Sequence, residues 1–123
     1  KQLKLLSSVI FLGQRNDMDR LYQAFDLLLF PSLYEGLGMV LIEAQATGLP
    51  CITSNVVPTD AKVSNLIEFL PIADSDEQIW VNSIKNKKIK SRKSQTKIVS
   101  SYGYNIKNEA HKLEEYYINK VGV

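Results

Sequence analysis

The stretch "DLLLFPSLYEGLGMVLIEAQATGLPCITS", residues 26–54, decides the fold, because it combines a strand, a loop, a helix and a second strand. The apolar run at 26–32 predicts a strand that stops at its proline. Residues 38–47 predict a helix of about nine residues, since Gly48 and Pro50 follow it in the order typical of a helix C-terminus. "CITS", residues 51–54, predicts the next strand.

Similar elements lie on both sides of this stretch. Two more apolar runs predict strands at 9–13 and 66–71, and polar–apolar periodicity predicts three more helices at 17–25, 74–85 and 105–120. The strands are near-continuous apolar runs, which is typical of a parallel sheet with helices on both faces. We therefore predict an α/β fold class, namely a Rossmann-like three-layer α/β/α domain with a mostly parallel sheet.

Helical spacing also predicts which side chains pack. Asp17 is placed to cap the helix at 17–25, and an aspartate and a serine, Asp74 and Ser75, to cap the helix at 74–85. The apolar faces expected to pack are Leu21, Ala24 and Phe25 on the first helix, Ile79, Trp80 and Ile84 on the third, and Ile106, Ala110, Leu113, Tyr117 and Val121 on the last.

Composition narrows the class of protein. The chain has 123 residues, of which 45% are hydrophobic and 23% charged, as expected for one compact domain. It contains no run of about 18 apolar residues, so no membrane span is predicted. The first residue is Lys1 and no signal peptide is visible, so we expect a fragment of a longer protein. Cys51, the lone cysteine, is expected to be a buried thiol in a cytoplasmic protein, and His111 a surface residue.

The net charge of +2 hides an asymmetry. Residues 1–80 carry five basic and ten acidic side chains, whereas residues 81–123 carry ten basic and three acidic ones. Most of the excess lies in "KNKKIKSRKSQTK", residues 85–97, hereafter the basic segment. It has no interleaved aromatic residues, so nucleic-acid binding is not predicted. A solvated surface is the preferred interpretation, and peripheral contact with the inner face of a membrane is the alternative.

Glu43 is the residue that most needs an explanation. It stands in "MVLIEAQATGLP", where nearly every neighbour is suited to burial, and an unpaired buried carboxylate costs several kcal/mol, on the order of the buried-charge penalties known for proteins. Glu43 is therefore either paired within the protein or faces a cleft. Such a cleft is expected beyond the carboxyl ends of the strands, where a parallel sheet binds its ligand.

The loop "SLYEGLG" leads into this helix. Gly36 and Gly38 let a ligand approach the backbone, and the free N–H groups at the helix start favour a phosphate. Glu43 lies further along the helix, and Glu35 lies in the entry loop. An anion cradle flanked by two carboxylates that accept hydrogen bonds from hydroxyls suits a sugar nucleotide. A glycosidase pair fits poorly, because its two carboxylates must face one bond from separate supports.

The residues from Pro31 to Pro50 also carry a family resemblance. They match a pattern close to "PSxxEGxGxxxxEAxAxGxP", in which two glutamates are separated by seven residues. The sequence from 9 to about 85 resembles the C-terminal, donor-binding domain of GT-B glycosyltransferases of family 4. These are retaining enzymes, and many of them build capsules, exopolysaccharides or lipopolysaccharides. The resemblance implies half of a GT-B fold.

The resemblance also implies roles for individual residues. Glu35 would be the catalytic carboxylate beside the transferred sugar, and Glu43 would bind the ribose of the donor. The amides from Gly36 to Met39, which include Leu37 and Gly38, would hold the sugar and diphosphate. The nucleobase would lie at the loop of Gly13, Gln14, Arg15 and Asn16. No cofactor and no metal in this domain are implied.

The sequence departs from the family pattern in three places. The Arg/Lys pair that neutralises the donor diphosphate has no counterpart, and the N-terminal acceptor domain has none either. In the loop after "CITS", the family usually has glycines and a glutamate, whereas this sequence reads "NVVPTDAKVSN" with Asp60 as the candidate substitute for the glutamate. The expected whole protein transfers a hexose from a nucleotide-sugar to a glycan or lipid-linked acceptor, and this chain alone is expected to be inactive. A non-catalytic Rossmann-like module that binds a nucleotide or sugar stays open as the alternative.

Overall fold

The computed structural model describes residue 5, residues 7–88 and residues 91–122. Short turns of 3₁₀ helix cover Thr59–Ala61 and Asp74–Asp76, and a π-type turn covers Ser100–Tyr104. The main elements, in chain order, are α1 (Met18–Ala24), β1 (Leu28–Phe30), α2 (Met39–Ala46), β2 (Cys51–Ser54), β3 (Ile67–Leu70), α3 (Glu77–Asn86), α4 (Thr96–Val99) and α5 (Ile106–Val121).

The three strands form one parallel sheet in the order β1-β2-β3. Cys51 of β2 is in register with Leu28 of β1 and with Ile67 of β3, so these side chains share one face of the sheet. With helices flanking the sheet, this arrangement confirms the predicted Rossmann-like α/β class. The strands predicted at 26–32, 51–54 and 66–71 are also confirmed, with shortened ends in the first and last.

The main core lies between this face of the sheet and helices α1 and α2. Leu41 and Ala44 of α2 are fully buried against Cys51, and Tyr22 of α1 closes the cluster with 3% of its surface exposed. Cys51 is buried, as the sequence predicts, and this burial raises the pKa of its thiol to about 12.

Helix α3 covers part of the opposite face. Glu68 points to that side, because its neighbours along β3 pack in the main core. Its carboxylate accepts hydrogen bonds from Ser83 at 3.0 Å and from Lys87 at 2.7 Å. The Trp80 indole donates to the carbonyl of Pro71 at 2.8 Å. Helices on both faces make the three layers that the sequence predicts.

The basic segment is only partly a solvated surface. Arg92 donates from Nη1 to the Tyr22 carbonyl at 2.8 Å and from Nη2 to the Gln23 carbonyl, so it caps the C-terminal end of α1. Lys87 pairs with Glu68. The side chains of the other described lysines of the segment are exposed, namely Lys85, Lys88, Lys93 and Lys97.

The strand predicted at 9–13 is wrong. Residues 9–13 have no strand conformation, and Ile10 and Phe11 are 83% and 88% exposed. An isolated strand is not stable in water, because its backbone groups need a neighbour to pair with. Among the described residues, the sheet pairs β1 only with β2, so the apolar run stays outside it.

The predicted packing face of α5 is wrong, and those of α1 and α3 are only partly right, since Phe25 packs against the main core and Trp80 is half-buried. Helix α5 forms, but its apolar stripe is exposed: Ile106 is 81% and Tyr117 59% exposed, because no described element covers it. In α1, Ala24 is exposed and Tyr22 takes the buried position. Ile79 and Ile84 of α3 are also largely exposed, at 43% and 37%.

The predicted helix caps are only partly right. Asp17 is the N-cap residue of α1, but its carboxylate binds Arg15 rather than a helix amide. Asp74 and Ser75 lie in the 3₁₀ turn before α3, where Asp76 instead accepts from the amide of Ala73. His111 is exposed beside Glu114, as predicted. No helix within residues 7–88 and 91–122 is long and apolar enough to cross a membrane.

The Glu68–Lys87 pair predicts a pH-dependent stability. The hydrogen bond from Lys87 lowers the pKa of the Glu68 carboxyl, although partial burial opposes this. The stabilisation is therefore complete above the pKa of the unfolded carboxyl, about 4.3, and is lost as the pH falls through the lower folded pKa. We expect Lys87→Met to reduce the free energy of unfolding by roughly 0.5 kcal/mol at pH 7, since the pair is half-exposed, and by less at pH 3.

Urea titrations at both pH values measure this difference. Lys85→Met is the matched control, because Lys85 lies in the last turn of α3, two residues before Lys87, and is exposed. An equal loss of stability for Lys87→Met at pH 7 and at pH 3 would contradict the pairing.

Candidate functional site

Hydroxyl groups at the end of β2 hold the loop that follows β1. Thr53 donates from Oγ1 to the carbonyl of Phe30 at 3.1 Å, and Ser54 donates from Oγ to the carbonyl of Ser32. Within the loop, Ser32 donates to the carbonyl of Tyr34 at 2.8 Å. The loop at 31–37 is thereby fixed at the carboxyl end of the sheet, where a parallel α/β sheet binds its ligand.

Gly38 makes the turn from this loop into α2. It is the N-cap residue, and its φ of +73° lies in the left-handed region. A Cβ atom there would lie 3.2 Å from Leu41 Cδ1 and 3.4 Å from Val57 Cγ1. Gly38 is therefore required by the backbone and by packing, and the free amides of the first turn of α2 follow directly after it.

Gly36 is different, because the fold does not require it. Its φ lies outside the left-handed region, and a Cβ atom there would meet no atom within 4 Å. Its amide donates to Oε1 of the half-buried Glu35 at 3.2 Å. The space beside Gly36 is open to a ligand, and Glu35 stands at its border.

The sequence assigns Leu37 and Met39 a role through their backbone amides, which stays a prediction. The Leu37 side chain packs against the small core cluster of Ile42, Val63 and Val99. Met39 is the first residue of α2, and its side chain is 48% exposed. Their amides lie in the segment between Gly36 and the helix start.

Glu43 is the exception in the buried middle of α2. Its neighbours Ile42 and Ala44 are buried, whereas Glu43 itself is exposed. Its Oε2 accepts a hydrogen bond from the hydroxyl of Tyr22 at 3.0 Å. The carboxylate is therefore both paired within the protein and open to solvent. It lies four residues after Met39, about 6 Å along the helix axis.

A cavity of about 430 Å³ adjoins Glu43. It brings Glu43 together with Asn16, a residue of the predicted nucleobase loop, over a distance of 27 positions in the sequence. The complete lining is Asn16, Met18, Asp19, Tyr22, Glu43, Ala46 and Thr47. Sequence reasoning missed Met18, Asp19 and Tyr22. A buried tyrosine needs a partner for its hydroxyl, and this requirement is the signal that could have indicated Tyr22.

The rest of the predicted nucleobase loop does not line this cavity. Gly13, Gln14 and Arg15 are exposed, and Gly13 adopts a φ of +65°. Arg15 donates from Nε and Nη2 to the two carboxylate oxygens of Asp17, at 2.7 and 2.6 Å. The hydrogen bonds between them raise the pKa of the Arg15 guanidinium and lower that of the Asp17 carboxyl.

Gln45 connects α2 to the loop after β2. Its buried amide donates to the carbonyls of Leu41 and Ala61 at 2.9 and 2.8 Å and accepts from Ser64 at 2.9 Å. Asp60, the candidate substitute for the family's glutamate, lies in the turn that Gln45 anchors and is exposed. It is not part of the lining of the Glu43 cavity.

Comparisons with known proteins agree on one family. Residues 1–86 match the family model described as "Glycosyl transferases group 1". The UDP-Gal:alpha-D-GlcNAc-diphosphoundecaprenol alpha-1,3-galactosyltransferase of Escherichia coli is 34% identical over 125 residues, which cover 97% of this chain and 32% of that protein. No solved structure matches.

Two further relatives match shorter stretches. The lipopolysaccharide glucosyltransferase WaaG of Escherichia coli K12 is 45% identical over 56 residues, which cover 46% of this chain and 15% of that protein. The D-inositol 3-phosphate glycosyltransferase of Corynebacterium urealyticum is 31% identical over 86 residues, 68% of this chain and 20% of that protein. The chain thus spans a third or less of the length of these relatives.

The family match covers more than half of the chain, and the parallel sheet has the architecture of a GT-B half-domain. The chain therefore belongs to the group 1 glycosyltransferase family.

Alanine substitutions at the two glycines of the loop are expected to differ in their effect on stability. We expect Gly38→Ala to lower the free energy of unfolding by about 1–2 kcal/mol, because an L-residue is strained at this φ and its Cβ would crowd Leu41. Gly36→Ala is the matched control, and we expect a change within about 0.5 kcal/mol, as for a surface position. Urea unfolding of the two variants measures both values, and equal losses would show that Gly38 has no special backbone role.

Proposed function

We propose that this chain is the donor-binding domain of a retaining glycosyltransferase of family 4. The whole protein transfers a hexose from a nucleotide-sugar to a glycan or lipid-linked acceptor. The observation that carries this proposal is the arrangement around the start of α2: the left-handed turn at Gly38, with Glu35 before it and Glu43 after it, at the carboxyl end of a parallel sheet.

The geometry supports a separate role for each part. The amides from Gly36 to Met39 and the positive end of the α2 dipole suit the donor diphosphate and sugar hydroxyls. Glu43 suits the ribose, because its carboxylate is exposed and lines a cavity that Asn16 also lines. The nucleobase then lies toward the loop at 13–16. Glu35 lies beside the sugar as the catalytic carboxylate.

The relatives indicate which donor and acceptor to test first. The Escherichia coli relative carries UDP-Gal and a diphosphoundecaprenol acceptor in its name. We propose UDP-galactose as the first donor to test and a lipid-linked acceptor presented at the membrane, bound through a domain outside this chain. The exposed lysines of the basic segment support peripheral contact with anionic lipid. No cofactor and no metal in this domain are part of the proposal.

Alanine variants of the two glutamates test the proposal in the intact protein. We expect Glu43→Ala to weaken donor binding about 10- to 100-fold, because hydrogen bonds to a charged carboxylate contribute about 1.5–3 kcal/mol. We expect Glu35→Ala to reduce kcat at least about 100-fold with a smaller effect on donor affinity, since a charge placed at the reacting centre acts mainly in the transition state.

Calorimetry with UDP-, GDP- and ADP-sugars measures binding, and release of nucleoside diphosphate measures transfer. Glu114→Ala is the control, because Glu114 is an exposed glutamate on α5, remote in sequence from the loop and α2. Transfer that survives both Glu35→Ala and Glu43→Ala would overturn the catalytic proposal. Donor binding without any transfer by the wild type would favour the non-catalytic binding module. NMR of the product's anomeric configuration tests retention.

A further inference from the structure

Tyr22 lies below Glu43 with its ring in the core and its hydroxyl at the site. The ring belongs to the main cluster with Leu41 and Cys51, and only 3% of the residue is exposed. The hydroxyl donates to Glu43 Oε2 at 3.0 Å across a sequence separation of 21 residues. It is the one described contact that joins the core directly to the exposed carboxylate of α2.

The backbone of Tyr22 is also held, by hydrogen bonds from Arg92. Arg92, which lies 70 residues later, donates from Nη1 to the Tyr22 carbonyl at 2.8 Å and from Nη2 to the next carbonyl. The phenol is therefore held in place both through its ring and through its backbone. Because burial and the neighbouring Glu43 raise its pKa to about 12, the hydroxyl stays protonated and remains a donor at every physiological pH.

We propose that Tyr22 is a positioning residue for donor binding, which holds Glu43 Oε2 so that Oε1 faces the cavity beside Asn16. This inference rests on the proposed role of Glu43 as the ligand of the donor ribose. Tyr22 does not touch the transferred sugar in this scheme; it acts through Glu43.

The physical reason is the cost of ordering a side chain. An exposed glutamate samples many rotamers, and a ligand that needs one of them must restrict the side chain when it binds. The buried phenol restricts it in advance. A carboxylate with one oxygen held by the protein still has acceptor capacity on the other for ribose hydroxyls. Preorganisation of this kind raises affinity without a direct contact to the ligand.

The variant Tyr22→Phe tests this role, because it removes the hydroxyl and keeps the ring in the core. In the intact protein we expect the Kd for the nucleoside diphosphate to rise about three- to tenfold, the size of effect expected for one side chain that must now be ordered on binding. The donor KM should rise by the same factor with kcat unchanged, since the ribose is bound equally in ground and transition states. The probes are UDP, GDP and ADP, measured by calorimetry.

A double-mutant cycle separates positioning from a structural role. In a Glu43→Ala background, Tyr22→Phe should have no further effect on Kd, because there is no carboxylate left to hold. The 2′,3′-dideoxy form of the best-binding nucleoside diphosphate should likewise be insensitive to Tyr22→Phe. Tyr104→Phe is the matched control, since Tyr104 is a half-buried tyrosine that packs against the other core cluster, and it should leave Kd unchanged.

Each outcome bears on one of the two proposals. If Glu43→Ala weakens binding and Tyr22→Phe does not, the positioning role is overturned and the function of Glu43 stands. If Tyr22→Phe weakens binding equally with and without Glu43, Tyr22 acts by another route and the inference is also overturned. If Glu43→Ala has no effect, or the wild type binds none of the three nucleotides, the proposed function fails and the inference falls with it.

Discussion

The burial of α2 is the constraint on which the rest of the structure depends. This eight-residue helix packs on β1 and β2 and presents Leu41, Ile42, Ala44 and Gln45 to the interior. With buried side chains on so much of its circumference, the helix cannot rotate without exposing an apolar residue or burying a charge. The side chain of Glu43 therefore lies on the outer surface of α2, beside α1.

The same constraint fixes the loop before the helix. Because α2 cannot shift, the chain leaving β1 has to turn sharply into it, and Gly38 makes this turn at a φ of +73°. The hydroxyls of Thr53 and Ser54 hold the other end of the loop. The start of α2 and Glu35 therefore stand on a frame of defined contacts, which the proposed site needs in order to hold a charged ligand in one orientation.

The buried polar contacts extend this frame to both sides of α2. The side-chain amide of Gln45 donates hydrogen bonds to carbonyls of α2 and of the loop after β2, and the Tyr22 hydroxyl donates one to Glu43. Arg92 then joins the basic segment to the end of α1. The basic segment therefore has a structural role near the proposed site, although most of its lysines are exposed. Its residue Arg92 binds the end of α1, the helix that carries Tyr22.

The sequence alone determined the three strands of the sheet, the central helix and the candidate carboxylates, because those features depend on local patterns. Apolar runs, glycine positions and the spacing of Glu35 and Glu43 are all visible without coordinates. The run at 9–13 has the same composition as a strand but finds no partner among the described residues, and strand formation depends on a partner rather than on composition. The stripe on α5 failed as a packing prediction for the same reason.

Only the tertiary structure decided how Glu43 meets its neighbours. The sequence left two alternatives, an internal partner or a cleft, and the fold combines them by bringing Tyr22 and Asn16 to the same carboxylate. Periodicity within α1 did not indicate Tyr22, because the buried face of a short helix is set by what packs against it. A hydrogen bond between residues 21 positions apart depends on how two helices cross, which no local pattern encodes.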